Sequence, residues 1–143
     1  MEFKKIDDNL SVAGQIASDD LPRAAEQGFK TVINVRPDGE HADALTAGQA
    51  RDAANASALG YHHLPVLPTQ ITDEDVTAFK ALLASADGPV LAHCGTGMRA
   101  TVLWALANAG SMDTQEILHK AASAGFDLSR VAPRIEQAAN AGM

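Results

Sequence analysis

The residues whose types and spacing suggest chemistry lie in one stretch, Val90 to Arg99, with the sequence VLAHCGTGMR. It contains Cys94, the single cysteine of the chain, and Arg99, with four residues between them. A cysteine thiolate is a nucleophile, and the planar guanidinium of arginine matches the oxygen atoms of an anion. The pattern predicts that Cys94 is a catalytic nucleophile and that Arg99 binds an oxyanion beside it. The alternative is that Cys94 is a small buried apolar residue and that Arg99 only pairs with a neighbouring carboxylate.

The elements that position Cys94 are predicted from the residues around it. A short apolar run predicts a buried strand ending at Cys94, two glycines indicate a tight loop, and the alanine-rich segment Ala100 to Ala109 predicts a helix. The loop N–H groups and the positive end of the helix would face the sulfur, which favours both a thiolate and a bound anion. Four residues are therefore predicted to bind the substrate through their backbone: Gly95, Thr96, Gly97 and Met98.

Four further residues are predicted to support this site: His93, Arg36, Glu40 and Thr101. His93 would orient the loop through hydrogen bonds, or else be a core histidine whose ring nitrogens are satisfied by hydrogen bonds. Arg36 and Glu40 follow a predicted strand, and Glu40 would hold Arg99, unless Arg36 and Glu40 form only an exposed pair on a loop. Thr101 is a candidate to reach the reactive sulfur with its hydroxyl group.

Strand and helix patterns alternate after the first predicted helix. The strands Lys30–Val35, Tyr61–Val66 and the run ending at Cys94 are separated by helical segments, which implies a mainly parallel sheet covered by helices. Only helical patterns follow Arg99. The predicted fold class is therefore α/β: one domain over residues 1–143, with a three-layer α/β/α architecture, a mainly parallel central sheet and an all-helical C-terminal third.

Ligands bind beyond the carboxyl ends of parallel strands, so these ends are expected to form the site. The prediction gathers Cys94, the Arg36–Glu40 loop and the Pro65–Gln70 loop on one rim. Helix ends are also predicted: an acidic cap at Asp19-Asp20, a stop at Gly60, a cap at Thr72, and a cap at Thr114 with Asp113 beside it.

Composition limits the partners that we expect. The net charge of −7 argues against nucleic acid and anionic membranes as partners, and no apolar run is long enough to span a membrane. One cysteine and no apolar leader at the start of the sequence favour a cytoplasmic location. We expect no cofactor and no metal, since His62 and His63 point to opposite faces of a strand and no spaced ligand set is present.

The motif His93-Cys94…Arg99 resembles the signature of the cysteine-phosphatase superfamily, which is His-Cys, five residues and Arg. The Gly14-Gln15 pair, the Gly28–Asp38 run and Glu40 are similar to the phosphatase-like domain of the beta-lactamase-hydrolase-like family, whose members are also described as sulfurtransferases. This resemblance covers the chain to about Ala109. It implies a fold like that of the dual-specificity phosphatases, with Cys94 as the nucleophile.

Two departures from the phosphatase pattern affect the expected chemistry. Only four residues separate Cys94 from Arg99, a loop length that resembles the rhodanese-type sulfurtransferases and makes a smaller cradle for a phosphate group. The phosphatases also carry a general acid in a Pro-x-x-Asp motif, but the matching segment here is Pro65-Val66-Leu67-Pro68, and proline cannot donate a proton. The hydroxyl residue that usually follows the arginine is Ala100.

Sulfur transfer has no strict need for that acid, because its leaving groups depart as anions. We therefore expect a rhodanese-type sulfurtransferase that forms a persulfide on Cys94, with thiosulfate or a thiol persulfide as donor. A persulfide-handling enzyme is an expected partner. The first alternative is a phosphatase that hydrolyses a phosphate ester through a phosphocysteine at Cys94. The second is a non-catalytic module that binds an anion or a peptide.

Overall fold

The computed structural model describes residues 3–40, 45–67 and 70–141 of the chain. Its centre is a five-stranded sheet composed of β1 (Lys4–Lys5), β2 (Leu10–Ala13), β3 (Thr31–Asn34), β4 (Gly60–His63) and β5 (Val90–His93). The strand order is β1-β2-β5-β3-β4. Four strands run parallel, and β1 pairs antiparallel with β2 at one edge. The mainly parallel central sheet predicted from the alternating pattern is therefore confirmed.

Within the described residues, six helices cover the two faces of this sheet. They are α1 (Asp20–Glu26), α2 (Ala47–Ala56), α3 (Asp73–Ser85), α4 (Met98–Ala107), α5 (Thr114–Ser123) and α6 (Ala132–Ala141), with a 3₁₀ turn at Ser129–Val131. Apolar residues of α1 and α2 pack on one face, against Val32 and Leu91, and those of the other four helices pack on the opposite face. The three-layer α/β/α architecture and the helical C-terminal third are thus confirmed.

The side chains of β5 divide between the two cores because successive strand residues point to opposite faces. Leu91 belongs to the core under α1 and α2, whereas Val90 and Ala92 belong to the core under α3 and α4. Helix α4 is buried at every position from Arg99 to Ala107, which is typical of an apolar helix enclosed on all sides. None of the helices in the described ranges is long and apolar enough to cross a membrane.

The carboxyl ends of the four parallel strands lie at the same edge of the sheet. Ala13 at the end of β2 and Asn34 at the end of β3 both pair in register with His93 at the end of β5. The loops that follow these strands therefore begin side by side. Cys94, the segment 36–40 and the segment 65–67 meet on one rim, as predicted; Pro68, assigned to the general-acid position, lies outside the described residues.

The predicted end of α2 at Gly60 is wrong. The helix ends at Ala56, and Ala58 takes the left-handed conformation that turns the chain, with φ of 59°. The N–H of Ala58 donates to the Asn55 carbonyl and that of Leu59 donates to the Ala54 carbonyl, which satisfies the last carbonyls of the helix. Gly60 is consequently free to be the first residue of β4, where it pairs with Thr31.

Two helix caps also differ from the prediction, whereas the Thr72 cap is confirmed by a reciprocal capping box with Asp75. The Asp19 side chain makes no cap bond to α1; Asp20 instead accepts a hydrogen bond from the Ala17 N–H at 2.7 Å. Asp113, and not Thr114, caps α5, because its carboxylate accepts from the Gln115 N–H at 3.2 Å. Aspartate and threonine are both favoured at the N-cap position, so the sequence does not show whether Asp113 or Thr114 is the cap; the backbone geometry does.

This geometry predicts that Asp113→Ala destabilises the protein and Thr114→Ala does not. Loss of the carboxylate leaves a first-turn N–H without its acceptor, which costs about 1 kcal/mol. Thr114→Ala, in contrast, should change the free energy of unfolding by less than about 0.5 kcal/mol, because alanine is a good helix former. Urea unfolding of the two variants measures this difference, and equal losses would show that Asp113 is not the effective cap.

Candidate active site

The Cys94 loop connects β5 directly to the buried helix α4. The Cys94 N–H donates to the Ala13 carbonyl at 3.2 Å, which extends the pairing between β2 and β5 by one residue. The Cys94 side chain is buried, and its Sγ accepts a hydrogen bond from the Gly97 N–H at 3.1 Å. Helix α4 begins at Met98, two residues earlier than the start predicted at Ala100, so Arg99 lies in its first turn. The predicted order of strand, loop and helix is confirmed.

The backbone N–H and the carbonyl of Gly97 both form hydrogen bonds. Its φ of 94° lies in the left-handed region, which glycine adopts readily and other residues rarely adopt. Its carbonyl accepts hydrogen bonds from the Thr101 N–H at 3.0 Å and from the Thr101 hydroxyl at 2.8 Å. The Thr101 hydroxyl therefore donates to the loop backbone and not to the sulfur. Met98 donates its N–H to the Thr96 hydroxyl at 3.3 Å, so this amide is bonded within the loop.

Arg99 is bound by groups from two other loops. Its two terminal nitrogens donate to the two oxygens of Glu40, at 3.1 Å to Oε2 and 2.9 Å to Oε1. One of them also donates to the Val66 carbonyl at 2.8 Å. The expectation that Glu40 holds Arg99 fits this bidentate geometry. Hydrogen bonding to Arg99, followed by that to Arg36, holds the pKa of the Glu40 carboxyl below its ordinary value.

Arg36 connects the same carboxylate to a further loop. Its Nε donates to Glu40 Oε1 at 2.8 Å, and its Nη1 donates to Gln15 Oε1 at 2.6 Å. The Arg36 carbonyl lies 2.8 Å from the His63 ring Nε2. Arg36 and Glu40 are thus connected to Arg99 and do not form a separate exposed pair. Gln15 was not identified as a site residue from the sequence, although its place directly after β2 puts it on the same rim.

His93 lies behind the loop and makes no hydrogen bond to any residue that the structure describes. Its side chain is buried and both ring nitrogens are without a partner. Burial, together with the charges of Arg36 and His63, lowers the pKa of His93 to about 3. His93 is therefore neutral at physiological pH. This environment matches neither expectation: the ring is buried, as in a core histidine, but no hydrogen bond to the described residues satisfies it or lets it orient the loop.

The pocket that opens beside the Cys94 sulfur has a volume of about 300 Å³. It is lined by Ile71, Cys94, Gly95, Thr96, Met98, Arg99 and Val102. These lining residues include no Asp or Glu. Met98 is partly exposed and lies at the rim of the pocket. Ile71 and Val102 were not identified from the sequence, because nothing in the pattern separates a pocket wall from the core. A larger groove between α3 and α6, lined by Asp73 and Arg134, contains none of the predicted site residues.

The residues of the described ranges include no group of three or more His, Cys, Asp or Glu side chains placed to hold a metal ion. The loop instead offers a nucleophilic sulfur, one amide N–H aimed at it and a guanidinium in the adjacent helical turn. Such an arrangement places a hydrogen-bond donor at the sulfur and a positive charge in the next turn, which suits the negative charge of a group bound there. The chemistry that it supports is attack by Cys94 on an electrophilic atom of an anionic substrate.

The buried His93 predicts a specific acid sensitivity. The unfolded chain takes up a proton at His93 near the ordinary pKa of 6.5, whereas the folded chain does so only near about 3. Stability is therefore lost as pH falls from 6.5 toward 3, by on the order of 2 kcal/mol between about pH 7 and pH 5. We expect His93→Leu to remove this loss and the exposed His119→Gln to leave it unchanged, as measured by urea unfolding at both pH values. Identical pH dependence in all three proteins would contradict the prediction.

Glu40 predicts a further loss of stability in acid, in a lower pH window than that of His93. Its lowered pKa means that it stabilises the folded chain at neutral pH, and that this contribution is lost only as pH falls below 4.5. In Glu40→Gln an uncharged amide would face two arginines, and we expect a loss of about 2 kcal/mol at neutral pH. The exposed Glu136→Gln is the matched control and should cost less than about 0.5 kcal/mol. If thermal and urea unfolding show equal effects for the two variants, Glu40 is not the link between the arginines.

Comparison with known proteins places this chain in a family. The chain matches the phosphatase-like domain of beta-lactamase hydrolase-like protein over residues 2–111. A beta-lactamase hydrolase-like protein of Agrobacterium fabrum (strain C58) is 39% identical over 130 residues, which are 90% of this chain and 30% of that protein. The chain spans about a third of the length of the curated relatives that it matches.

Solved structures agree with this match. A candidate phosphatase (nma1982) from Neisseria meningitidis Z2491 is 34% identical, with a TM-score of 0.87 over 96% of this chain and 99% of that chain. P. aeruginosa TpbA, solved in complex with pTyr, is 18% identical with a TM-score of 0.67, over 94% of this chain and 86% of that one, and shares the fold. The chain belongs to the beta-lactamase hydrolase-like phosphatase-like domain family, and its fold is that of the cysteine phosphatases.

Proposed function

We propose that this chain is a sulfurtransferase that carries a sulfane sulfur on Cys94. The observation that carries the proposal is the way the short loop uses its hydrogen-bond donors. The Gly97 N–H is aimed at the sulfur itself, the Met98 N–H is bonded to the Thr96 hydroxyl, and the Arg99 guanidinium is bound to Glu40 and Val66. These three groups are bonded within the protein and are not free for the non-bridging oxygens of a phosphoryl group, whereas a persulfide needs only local stabilisation of one anionic sulfur.

The proposed reaction has two steps, and neither needs a general acid. The Cys94 thiolate attacks the outer sulfur of thiosulfate, the S–S bond of the donor breaks, and sulfite leaves with the bonding electron pair. Cys94 then carries a persulfide anion. In the second step an acceptor thiolate attacks the outer sulfur of this persulfide, and Cys94 departs as a thiolate. A thiol persulfide can replace thiosulfate as donor, with a thiolate as the leaving group.

The pocket lining supports this chemistry. Its walls include Ile71, Met98 and Val102, and the lining that the structure describes carries no carboxylic acid that could protonate an ester oxygen. Sulfite and thiolates leave as stable anions, so such a pocket is sufficient for sulfur transfer. Phosphate monoester hydrolysis, in contrast, is accelerated by an acid placed within hydrogen-bond reach of the leaving oxygen. A persulfide-handling enzyme is the kind of partner that we propose for supply or removal of the sulfur.

Phosphate monoester hydrolysis through a phosphocysteine at Cys94 is the second candidate function. The comparisons favour it, because the Neisseria relative is described as a candidate phosphatase and TpbA was solved in complex with pTyr. The nucleophile and the arginine would have the same roles in both reactions. The two candidates differ in whether the group on Cys94 is a sulfur atom or a phosphoryl group.

Intact-protein mass spectrometry tests the proposal directly, because the chain contains one cysteine and any adduct is thereby localised. We expect wild type incubated with thiosulfate, or with glutathione persulfide, to gain the mass of one sulfur atom. Cyanide should remove that sulfur, and Cys94→Ser should gain none. Hydrolysis of para-nitrophenyl phosphate is measured on the same two proteins.

The possible results separate the candidates. A cyanide-sensitive sulfur adduct without aryl phosphate hydrolysis supports sulfur transfer. Hydrolysis that is lost in Cys94→Ser, with no sulfur adduct from either donor, would overturn it in favour of the phosphatase. Anion binding without adduct or turnover would show a non-catalytic module.

A further inference from the structure

We infer that Phe126 is a positioning residue for the Cys94 loop, although it lies in the C-terminal segment beyond residue 111, where the match to the family ends. Its ring packs against Gly97, the residue whose N–H donates to the Cys94 sulfur. By filling the space behind Gly97, the ring holds that N–H in place. The inference rests on Cys94 acting as a thiolate, as in the proposed function, and applies whichever group the thiolate attacks.

The contact between Phe126 and Gly97 is close. A Cβ atom added to Gly97 would lie 2.9 Å from Cζ of the ring and 3.4 Å from Cε1, distances at which the ring or the loop would have to move. The Gly97 backbone thus touches the edge of a rigid, buried side chain with no free space between them. Its φ of 94° is left-handed, and the two bonds from Thr101 to its carbonyl fix the following peptide, so Gly97 is restrained on its carbonyl side as well.

The position of the ring is itself determined by the end of α5. Gly125 adopts φ of 98°, and its N–H donates to the Ala122 carbonyl at 2.9 Å. The Phe126 N–H donates to the Ala121 carbonyl, also at 2.9 Å, which completes a Schellman motif. This turn directs Phe126 back toward α4. On the outer side, the ammonium of Lys4 lies 5.1 Å from the ring centroid, a cation–π distance.

The consequence for reactivity follows from the hydrogen bond at the sulfur. An N–H that donates to a thiolate stabilises the anion and not the thiol, so its loss lowers the thiolate fraction at neutral pH. At the alkaline plateau of the alkylation rate, where the rate no longer rises with pH, the hydrogen bond no longer affects that fraction. A residue that positions Gly97 should therefore affect alkylation of Cys94 at neutral pH and leave it nearly unchanged at alkaline pH.

The experiment is the rate of Cys94 alkylation by iodoacetamide as a function of pH, in wild type and three variants. We expect Phe126→Ala to be slowed about tenfold at neutral pH, the effect of losing one hydrogen bond to a charged group. Phe126→Leu keeps an apolar side chain but is too short to reach Gly97, so it should be slowed several-fold and provides the test if Phe126→Ala does not fold. Leu128→Ala is the matched control, because Leu128 is buried in the same segment and is not among the nearest contacts of Gly97.

A double-mutant cycle tests the contact independently of reactivity. In Gly97→Ala the added methyl group meets the Phe126 ring, whereas in the double variant Gly97→Ala with Phe126→Ala that space is empty. We measure the decrease in the urea unfolding midpoint relative to wild type. The decrease in the double variant should be clearly smaller than the sum of the decreases in the two single variants. Additive losses would show that the ring does not restrain Gly97.

Two results would overturn the inference. One is alkylation of folded Phe126→Ala or Phe126→Leu at the wild-type rate at neutral pH. The other is equal slowing by Leu128→Ala, which would indicate only a general effect of destabilisation. Alkylation requires neither a sulfur donor nor a phosphate ester, so failure of this inference is distinguishable from failure of the proposed sulfur transfer.

Discussion

The carboxylate of Glu40 is the interaction on which the geometry of the site depends. It lies between two guanidinium groups, and each of these reaches a different loop. Arg36 continues to Gln15 after β2, and Arg99 continues to the Val66 carbonyl after β4. Through this one side chain, the segments that follow all four parallel strands are connected. Because two cations share one anion, the cluster keeps a net positive charge beside the nucleophile, which offsets the acidic character of the whole chain.

Pairing lowers the cost of burying the Arg99 charge, and Glu40 stays partly in water. Arg99 and Glu40 remain 9% and 23% exposed, and their contact is bidentate, a geometry that adds direction to the charge attraction. His93 is the opposite case, a polar ring enclosed without a partner among the described residues. The site therefore combines one strongly satisfied polar cluster with one unsatisfied group directly behind the nucleophile. Functional sites often retain such locally unfavourable features.

Most of the fold and the centre of the site could be predicted from the sequence because both depend on local patterns. The short apolar run before Cys94 and the glycines after it define the strand and the loop, and charge complementarity indicates the pairing of Glu40 with Arg99. Gln15 and Phe126 could not be identified, because their roles arise from contacts between segments far apart in the chain. The capping roles of Asp113 and Ala58 were likewise decided by backbone geometry and not by residue type.

The deep placement of the single cysteine has a consequence for oxidative side reactions. A disulfide requires the two Cα atoms to approach within roughly 7 Å. In this protein the sulfur lies at the bottom of a loop whose backbone is tied to β2 and to the enclosed helix α4, and only 1% of the residue is exposed. Two copies of the chain cannot bring their sulfurs together without opening that loop. The pocket beside the sulfur has room for a small molecule, so oxidation of the folded chain at Cys94 is expected to give mixed disulfides with small thiols before crosslinked dimers.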